Sequence, residues 1–375
     1  MSRFPSLDGR KGTHLPEQYW PSHELCFTVH DVMTQLLVSG EKARAFHVSF
    51  DLPDEAAKQE FESASDIFEW LEKHRTPEDR AAVLVAAMFP AILSDMLHCF
   101  YEALETSRKA KLGISFMLLR KPLQESLYVL EAVIADRADF AEKLTEDPIK
   151  LWSQGVGGHE AHVRNIQKVL ETVGESDRFD PAYLAQLRYD KSVEDGFDGI
   201  CNTAMHLFTG HKSIKTERMN INFIFSKWDN KLTQWPYIYS RLPYLLVYMH
   251  SIVEYVCEGI APTSPAYLDD MKRRISAQVL LWWETIEAPY IEPHLKNFAE
   301  RTRDWLYRHC NEAGLSPPTK ADLIRMGADG AFPGETRASV AKRLDQFKRS
   351  AASTGSYALT PLEQLGLWLN QKLGR

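Results

Sequence analysis

The spacing of apolar residues constrains this chain more than any other feature. From Leu112 to Ile134, seven large apolar residues follow one another at intervals of 4, 3, 4, 4, 3 and 4. These intervals match the turn of an α-helix and place one apolar stripe on a single face. Pro122 lies within this stripe and lacks a backbone N–H, so we predict a kink near residues 118–122.

Similar spacing recurs along most of the chain, so we expect an all-α fold, a bundle of long antiparallel helices with a smaller helical C-terminal part. The strongest start signal is Thr76 as N-cap, with Pro77 at the first helical position and Asp79 three residues after the cap. Pro181 follows Asp180 in the same way. Further helices are predicted at residues 24–39, 54–74, 138–144, 158–174, 193–209, 242–260, 266–286 and 293–310.

Helix ends and connecting segments give weaker predictions. Gly40 and Gly210 are expected to end the helices that precede them. Residues 220–225, NINFIF, alternate polar and apolar side chains at first, which fits either one short strand or an extended loop. We predict an N-terminal tail at residues 1–20, a main helical bundle at 21–313 and a small helical region at 314–375.

Composition indicates a water-soluble protein inside the cell. Hydrophobic residues make up 44% of the 375, charged residues 25%, and the formal net charge is −7. This acidic balance argues against general nucleic-acid binding, although a local basic patch is compatible with it. The five cysteines are scattered, without a CxxC pair, which predicts free thiols and a cytoplasmic location.

No membrane association is predicted. The N-terminal residues contain no apolar core of a secretory signal. The longest apolar run, residues 81–93, is too short to span a bilayer, and we expect Pro90 to interrupt it. A buried core helix is the simpler interpretation.

The segment GHKSIKTER, residues 210–218, is the first candidate site. It contains His211, Lys212, Lys215 and Arg218, with Glu217 as its one acidic residue, and Thr216 adds a hydroxyl. His206 precedes it on the predicted helix. Several donors without matching acceptors suit a phosphate or carboxylate, so we predict an anionic ligand, RNA among the candidates, or a partner protein. The alternative is a solvated connector whose cations interact with the end of the preceding helix.

Other clusters give weaker signals. Histidines and cysteines occur near one another at residues 23–30, 159–162 and 201–211, but none of these groups supplies four ligands locally. We therefore predict no metal site and no cofactor. Arg120 and Glu131 border the apolar stripe, where ion pairs with other helices are the simplest explanation and a functional lining is the alternative.

The stretch RTRDWLYRHC, residues 301–310, resembles the Arg-x4-6-His motif of HEPN helical domains. Arg303, followed by Asp304, precedes His309 with five intervening residues. Many HEPN members are metal-independent endoribonucleases, and the resemblance implies that His309 acts on the ribose hydroxyl or leaving oxygen while Arg303 stabilises phosphorane charge. The residues themselves also fit a core histidine and a surface arginine about 120° apart on one helix.

Two segments, SRKAKLGISFMLLRKPLQESLYVLEAVIAD (residues 107–136) and HLFTGHKSIKTE (residues 206–217), resemble bacterial all-helical proteins of the HEPN-like or DUF5677 type. The resemblance covers residues 80–310. This resemblance implies an intracellular bacterial protein of stress response or phage defence, and a homodimer formed through an apolar helix face. Two functions are therefore predicted as alternatives. One is binding of a partner or anionic ligand through residues 210–218, and the other is endoribonuclease activity of Arg303 and His309.

Overall fold

The computed structural model describes residues 12–49, 52, 54–65, 67–147, 149, 158–193, 195–208 and 228–353. All regular elements in these ranges are helical, and no strand occurs among them, so the predicted all-α class is confirmed. In chain order the α-helices are α1 (Trp20–Lys42), α2 (Glu55–Ser63), α3 (Ile67–His74), α4 (Pro77–Arg108), α5 (Leu112–Lys121), α6 (Leu127–Ala135), α7 (Arg137–Glu146), α8 (Gly158–Val173), α9 (Pro181–Tyr189), α10 (Phe197–Met205), α11 (Trp228–Ile260), α12 (Pro265–Trp283), α13 (Pro293–Glu312), α14 (Lys320–Asp329) and α15 (Arg337–Ser353).

Helix starts with clear capping residues lie where the sequence predicts them. Thr76 caps α4, and its hydroxyl accepts the Asp79 N–H while the Asp79 carboxylate accepts the Thr76 N–H. Asp180 caps α9 through the Tyr183 N–H at 2.7 Å. These side chains satisfy backbone donors that a helix cannot pair internally, so local sequence is sufficient to fix these starts.

Two predicted helix interruptions are wrong. Helix α1 continues through Gly40 to Lys42, and the missing side chain makes room for Phe46, whose ring a methyl group at Gly40 would approach to 2.5 Å. Helix α4 continues through Pro90, between the buried residues Phe89 and Leu93. Packing on both sides of Pro90 offsets the lost hydrogen bond, a cost of about 3 kcal/mol.

The helix predicted at residues 193–209 is shorter than expected. Helix α10 covers only Phe197–Met205, and His206 is its C-cap. The expected end at Gly210 and the alternatives for residues 220–225 lie outside the described residues.

Helix α11 forms the centre of the core. From Trp235 to Met249 nearly every residue is buried, so the helix is enclosed by others on all sides. Helix α1 packs against α4, α11 and α12, and α5 packs against α4 and α10. In the described part of the chain, α4 alone is long and apolar enough to span a membrane by length and composition. Leu93, Met96 and Phe100 of α4 are fully buried in the core.

A π-helical turn, Pro122–Ser126, separates α5 from α6 next to the residues at which a kink is predicted. The Leu127 N–H donates to the carbonyl of Pro122, five residues back, in place of Leu123. The Leu123 carbonyl instead accepts Arg188 Nε at 2.7 Å. A side chain from α9 thus compensates for the irregular backbone.

Arg188 also forms a buried ion pair with Glu131 of α6. Its Nη2 lies 3.2 Å from Glu131 Oε2, its Nη1 donates to Oε1, and both side chains are fully buried. Tyr248 of α11 donates to the same carboxylate at 2.7 Å. Burial alone would lower the pKa of Arg188, but the charge of Glu131 raises it above its ordinary value. The predicted ion pair of Glu131 is therefore present, whereas Arg120 pairs with Glu125.

The two ends of the described chain pack onto the bundle. Leu15 and Tyr19, within the predicted tail, are buried, and the His14 N–H donates to the Arg108 carbonyl at 2.8 Å. At the other end, Leu323 and Met326 of α14 form a small core with Leu306 and Cys310 of α13.

His23 on α1 is buried among aromatic rings. Its ring centroid lies 5.4 Å from that of Trp20, 4.9 Å from Phe27 and 5.8 Å from Tyr239. Neither ring nitrogen makes a hydrogen bond of ordinary geometry. Burial lowers the pKa of His23 to about 4, although the nearby Leu104 carbonyl opposes this shift. The histidine is therefore neutral in the folded protein at neutral pH.

We predict that His23 makes folding sensitive to mild acid. The unfolded chain takes up this proton near pH 6.5, whereas the folded chain resists it until about pH 4, so stability falls as pH drops through this window. Between pH 7.5 and 5, His23 should contribute a loss of about 2 kcal/mol in the free energy of unfolding. Urea unfolding should show a smaller loss in His23→Gln, and the full loss in His98→Gln, which changes an exposed histidine of α4. Equal losses in the wild type and His23→Gln would contradict the prediction.

Candidate functional site

The two residues of the predicted catalytic motif lie on different faces of α13. Arg303 is exposed and lies 3.4 Å from the Asp304 carboxylate. His309 has a side chain that is 23% exposed, and its Nε2 lies 3.1 Å from Asp269 Oδ1 on α12. No contact in the described structure joins Arg303 to His309, in keeping with their separation of about 120° around the helix.

His309 belongs to a column of stacked rings and cations. Its ring is nearly parallel to Trp305, with centroids 5.0 Å apart, and it stacks on Phe332 at 5.7 Å on the other side. Lys272 Nζ lies 4.9 Å from the Trp305 ring, and the Arg273 guanidinium lies 3.9 Å from the Phe332 ring. Cations and aromatic faces attract one another, so the column fixes the orientation of the imidazole.

Asp269 and Asp270 link this column to the last helices. Arg273 donates both to Asp269 and, at 2.9 Å, to Asp270 Oδ1. The fully buried Asp270 also pairs with Arg274 at 3.1 Å and with Arg343 of α15. Burial raises the pKa of Asp270, and the three arginine charges oppose this shift.

Glycine is required where the chain passes Asp270. Gly330 has a φ of +72°, and a methyl group there would collide with the Asp270 carboxylate. The Gly330 carbonyl accepts Arg273 Nε at 3.0 Å. The turn after α14 therefore packs against Asp270 and Arg273. Phe332, two residues after Gly330, lies against His309.

The contacts of His309 limit the chemistry that this side chain can perform. The imidazole is partly exposed and its Nε2 lies beside the Asp269 carboxylate, but no hydrogen bond of ordinary geometry joins the two, so the stacked rings and not the acid orient it. Arg273, whose guanidinium lies against the Phe332 ring, is buried and already bonded to Asp269 and Asp270. Arg273 is therefore not free to stabilise an anionic transition state at His309.

The cationic candidate segment lies mostly outside the described residues. Of its predicted ligand-binding residues, the structure describes His206, which is exposed at the end of α10. The others, His211, Lys212, Lys215, Thr216 and Arg218, fall within residues 209–227 and are not described.

The described residues on either side of this segment are exposed and aromatic. Phe208 is 71% exposed before the segment, and Trp228 is 49% exposed after it. Lys231 Nζ lies 5.7 Å from the Trp228 ring, and the His14 ring meets the edge of Trp228 at 6.0 Å. Such residues offer flat faces to a ligand, beside cations.

The histidines near residue 160 take part in packing. His162 stacks on Tyr189 with centroids 4.0 Å apart and meets Tyr128 edge to face. Within the described ranges, no three side chains of His, Cys, Asp or Glu are grouped in a way that could hold a metal ion. The five cysteines are unpaired thiols in the structure.

Sequence reasoning missed the partners of His309. Asp269 lies forty residues earlier and Phe332 twenty-three residues later, and neither belongs to a recognisable motif with it. The one available signal was the run DDMKRR, residues 269–274, which places two acids and three bases within two helical turns.

Comparison with known proteins identifies no relative: no family model, no curated protein and no solved structure matches this chain.

Proposed function

We propose that this chain is a helical binding protein that holds an anionic ligand, specifically single-stranded RNA, through residues 210–218. The observation that carries the proposal is the concentration of cationic side chains between two exposed aromatic residues. The segment contains one acidic residue, Glu217, and four residues that can carry positive charge, His211, Lys212, Lys215 and Arg218. Phe208 and Trp228 flank them. The proposed setting is a bacterial stress or phage-defence response.

Physical chemistry supports this combination as a single-strand binder. Cations neutralise backbone phosphates without regard to sequence, and exposed aromatic rings stack on unpaired bases. The chain as a whole has a net charge of −7, which repels nucleic acid, so binding would be confined to this local patch. The ligand class follows from both features together, because free phosphate would use the cations but not the rings.

We expect the wild-type chain to bind a labelled single-stranded RNA oligonucleotide with an affinity that falls steeply with salt. The double variant Lys212→Ala/Lys215→Ala should bind more weakly, and the slope of log K against log salt should shrink by about 1.4, since each lost phosphate contact contributes about 0.7 for single strands. Fluorescence anisotropy between 50 and 200 mM salt, roughly the range in which such contacts dominate, measures both quantities.

The matched control is Lys168→Ala/Lys296→Ala, which removes the same charge from exposed lysines of α8 and α13. It should retain wild-type binding. Phe208→Ala should weaken RNA binding by about 1–3 kcal/mol without changing the salt slope or the binding of inorganic phosphate. Equal losses in both lysine pairs, or no RNA binding by the wild type, would contradict the proposal.

The second candidate function is metal-independent RNA cleavage that depends on His309. The stacking of the partly exposed His309 ring on Trp305 and Phe332 favours it, because an imidazole held in one orientation can accept the ribose 2′-hydroxyl proton. The position of Arg303 does not favour it, since this side chain is exposed and bonded to Asp304 on another face. If the chain cleaves RNA in this way, Arg303 would have to reach the substrate from a different face of α13 than His309.

We expect this second function to appear as cleavage of single-stranded RNA in EDTA, with His309→Ala lowering the rate by about 10²–10⁴-fold, the usual contribution of a general acid or base. Arg303→Ala tests the partner residue, and His98→Ala is the control for loss of an exposed histidine. Gel analysis of the products would decide the question. Absence of cleavage, or equal cleavage by His309→Ala, would leave binding as the proposed function.

A further inference from the structure

Trp228, the first residue of α11, is half exposed and yet held in place by its neighbours. Its exposed fraction is 49%. Its ring meets the Trp235 ring edge to face, with centroids 5.8 Å apart, and the His14 ring in the same way at 6.0 Å. Lys231 Nζ lies 5.7 Å from the ring centre. A ring that is held on several sides loses little conformational entropy when a ligand stacks on its open surface.

The support behind Trp228 is buried. Trp235, two turns further along α11, is fully buried, and its Nε1 donates to the Ser107 carbonyl at the end of α4 at 3.2 Å. The Ser107 hydroxyl lies 3.0 Å from the Tyr239 hydroxyl, which is also buried. The Trp228 ring therefore rests on a framework shared by α4 and α11, and its orientation is set before any ligand binds.

The N-terminal residues beside Trp228 are tied to the same end of α4. The Arg108 carbonyl accepts the His14 N–H at 2.8 Å and the Thr13 hydroxyl at 3.0 Å. Leu15 is buried, whereas His14 is exposed. The imidazole of His14 is therefore held beside the Trp228 ring at the surface of the protein.

The end of α4 is positively charged in a chain that is acidic overall. Residues 105–111 contain three cationic residues and one acid, Glu105. Glu105 is already bonded to Arg108 at 2.6 Å and to Lys109 at 3.2 Å. Lys111 is exposed and makes no ion pair with a described residue. This end of α4 therefore leaves positive charge available to an anionic group.

A fixed and half-exposed indole beside cations fits one unpaired nucleotide. Lys231 and Asp229 balance each other in charge at the start of α11, so the excess positive charge comes from the end of α4. The flat ring can stack on a base while the cations neutralise phosphates. An acidic peptide would use the cations but leave the ring bare, and a duplex keeps the faces of its bases stacked inside.

We propose that Trp228, His14 and Lys231 form a preformed site for one unpaired nucleotide of the RNA strand. The base stacks on the open part of the Trp228 ring, Lys231 and His14 contact the phosphate and ribose of that nucleotide, and the end of α4 attracts the adjoining phosphates. This inference rests on the proposed RNA binding and adds a fixed contact outside residues 210–218. The contact makes the protein selective for single strands over duplexes.

The affinities of the full chain for a single-stranded RNA and for a duplex of the same sequence test this site, both measured by fluorescence anisotropy. Trp228→Leu keeps apolar bulk but removes the flat ring. It should weaken single-strand binding about tenfold, within the range for loss of one base–aromatic stack, and leave duplex binding unchanged. Trp228→Phe keeps a flat ring and should retain most of the single-strand affinity. Tyr255→Leu, which changes another exposed aromatic residue of α11, should bind as the wild type does.

A lysine variant tests the phosphate contact. Lys231→Gln should weaken single-strand binding and lower the slope of log K against log salt by about 0.7, the contribution of one phosphate contact. Lys168→Gln, which removes an exposed lysine of α8, should leave both quantities unchanged. His14→Ala should weaken single-strand binding severalfold, with His98→Ala as the control for loss of an exposed histidine.

The outcomes separate this site from residues 210–218. RNA binding that depends on Lys212 and Lys215 but is unchanged in Trp228→Leu would overturn this inference and leave the proposed function standing. Equal losses for single strand and duplex in a folded Trp228→Leu, shown by its thermal midpoint, would also overturn it, because a base stack requires an unpaired base. No RNA binding by the wild type would overturn both.

Discussion

The buried ion pair between Arg188 and Glu131 is the interaction on which the rest of this fold depends. The π-helical turn between α5 and α6 leaves the Leu123 carbonyl to accept from a side chain. Arg188 fills that need from α9, and Glu131 neutralises its charge. Tyr248 then connects the pair to the central helix α11. These contacts join three segments that are distant in sequence: the π-helical turn with α6, α9 and α11.

A second group of buried charges joins helices that are distant in sequence at the C-terminal end of the described chain. Asp270 binds arginines of its own helix and Arg343 of α15, so the last helices dock through charge as well as through the small core around Leu323. The same docking places Phe332 on His309. The surroundings of the histidine are therefore set by a structural contact, whatever the chemistry of that histidine.

Local signals in the sequence predicted the helices well and their partners poorly. Thr76 and Asp180 fix helix starts because their capping bonds involve residues three positions away. The predicted helix ends at Gly40 and Pro90 were wrong because packing against Phe46, and of α4 in the core, is not visible in the local sequence. Glu131 was expected to find an ionic partner, but nothing near it in the sequence indicated Arg188.

The candidate sites show the same limit. Residues 210–218 are recognisable because their cations lie close together in the sequence, whereas the neighbours of His309 come from α12 and from the turn after α14 and have no signature near it. Arg303 and His309 are six positions apart, a spacing that suggested a motif, yet the helix directs them to different faces. Spacing along a chain identifies a shared face only when it matches the helical period.

The most direct test of this account is the stability of variants at the buried ion pair. Glu131→Gln leaves the Arg188 charge buried without its partner, and Arg188→Met leaves the Glu131 carboxylate without its cation and the Leu123 carbonyl without its donor. Urea unfolding should show a loss of about 3–5 kcal/mol in the free energy of unfolding for each single variant, and a loss for the double variant well below their sum. Losses below about 1 kcal/mol, the scale of an exposed ion pair, would show that the fold does not depend on this interaction.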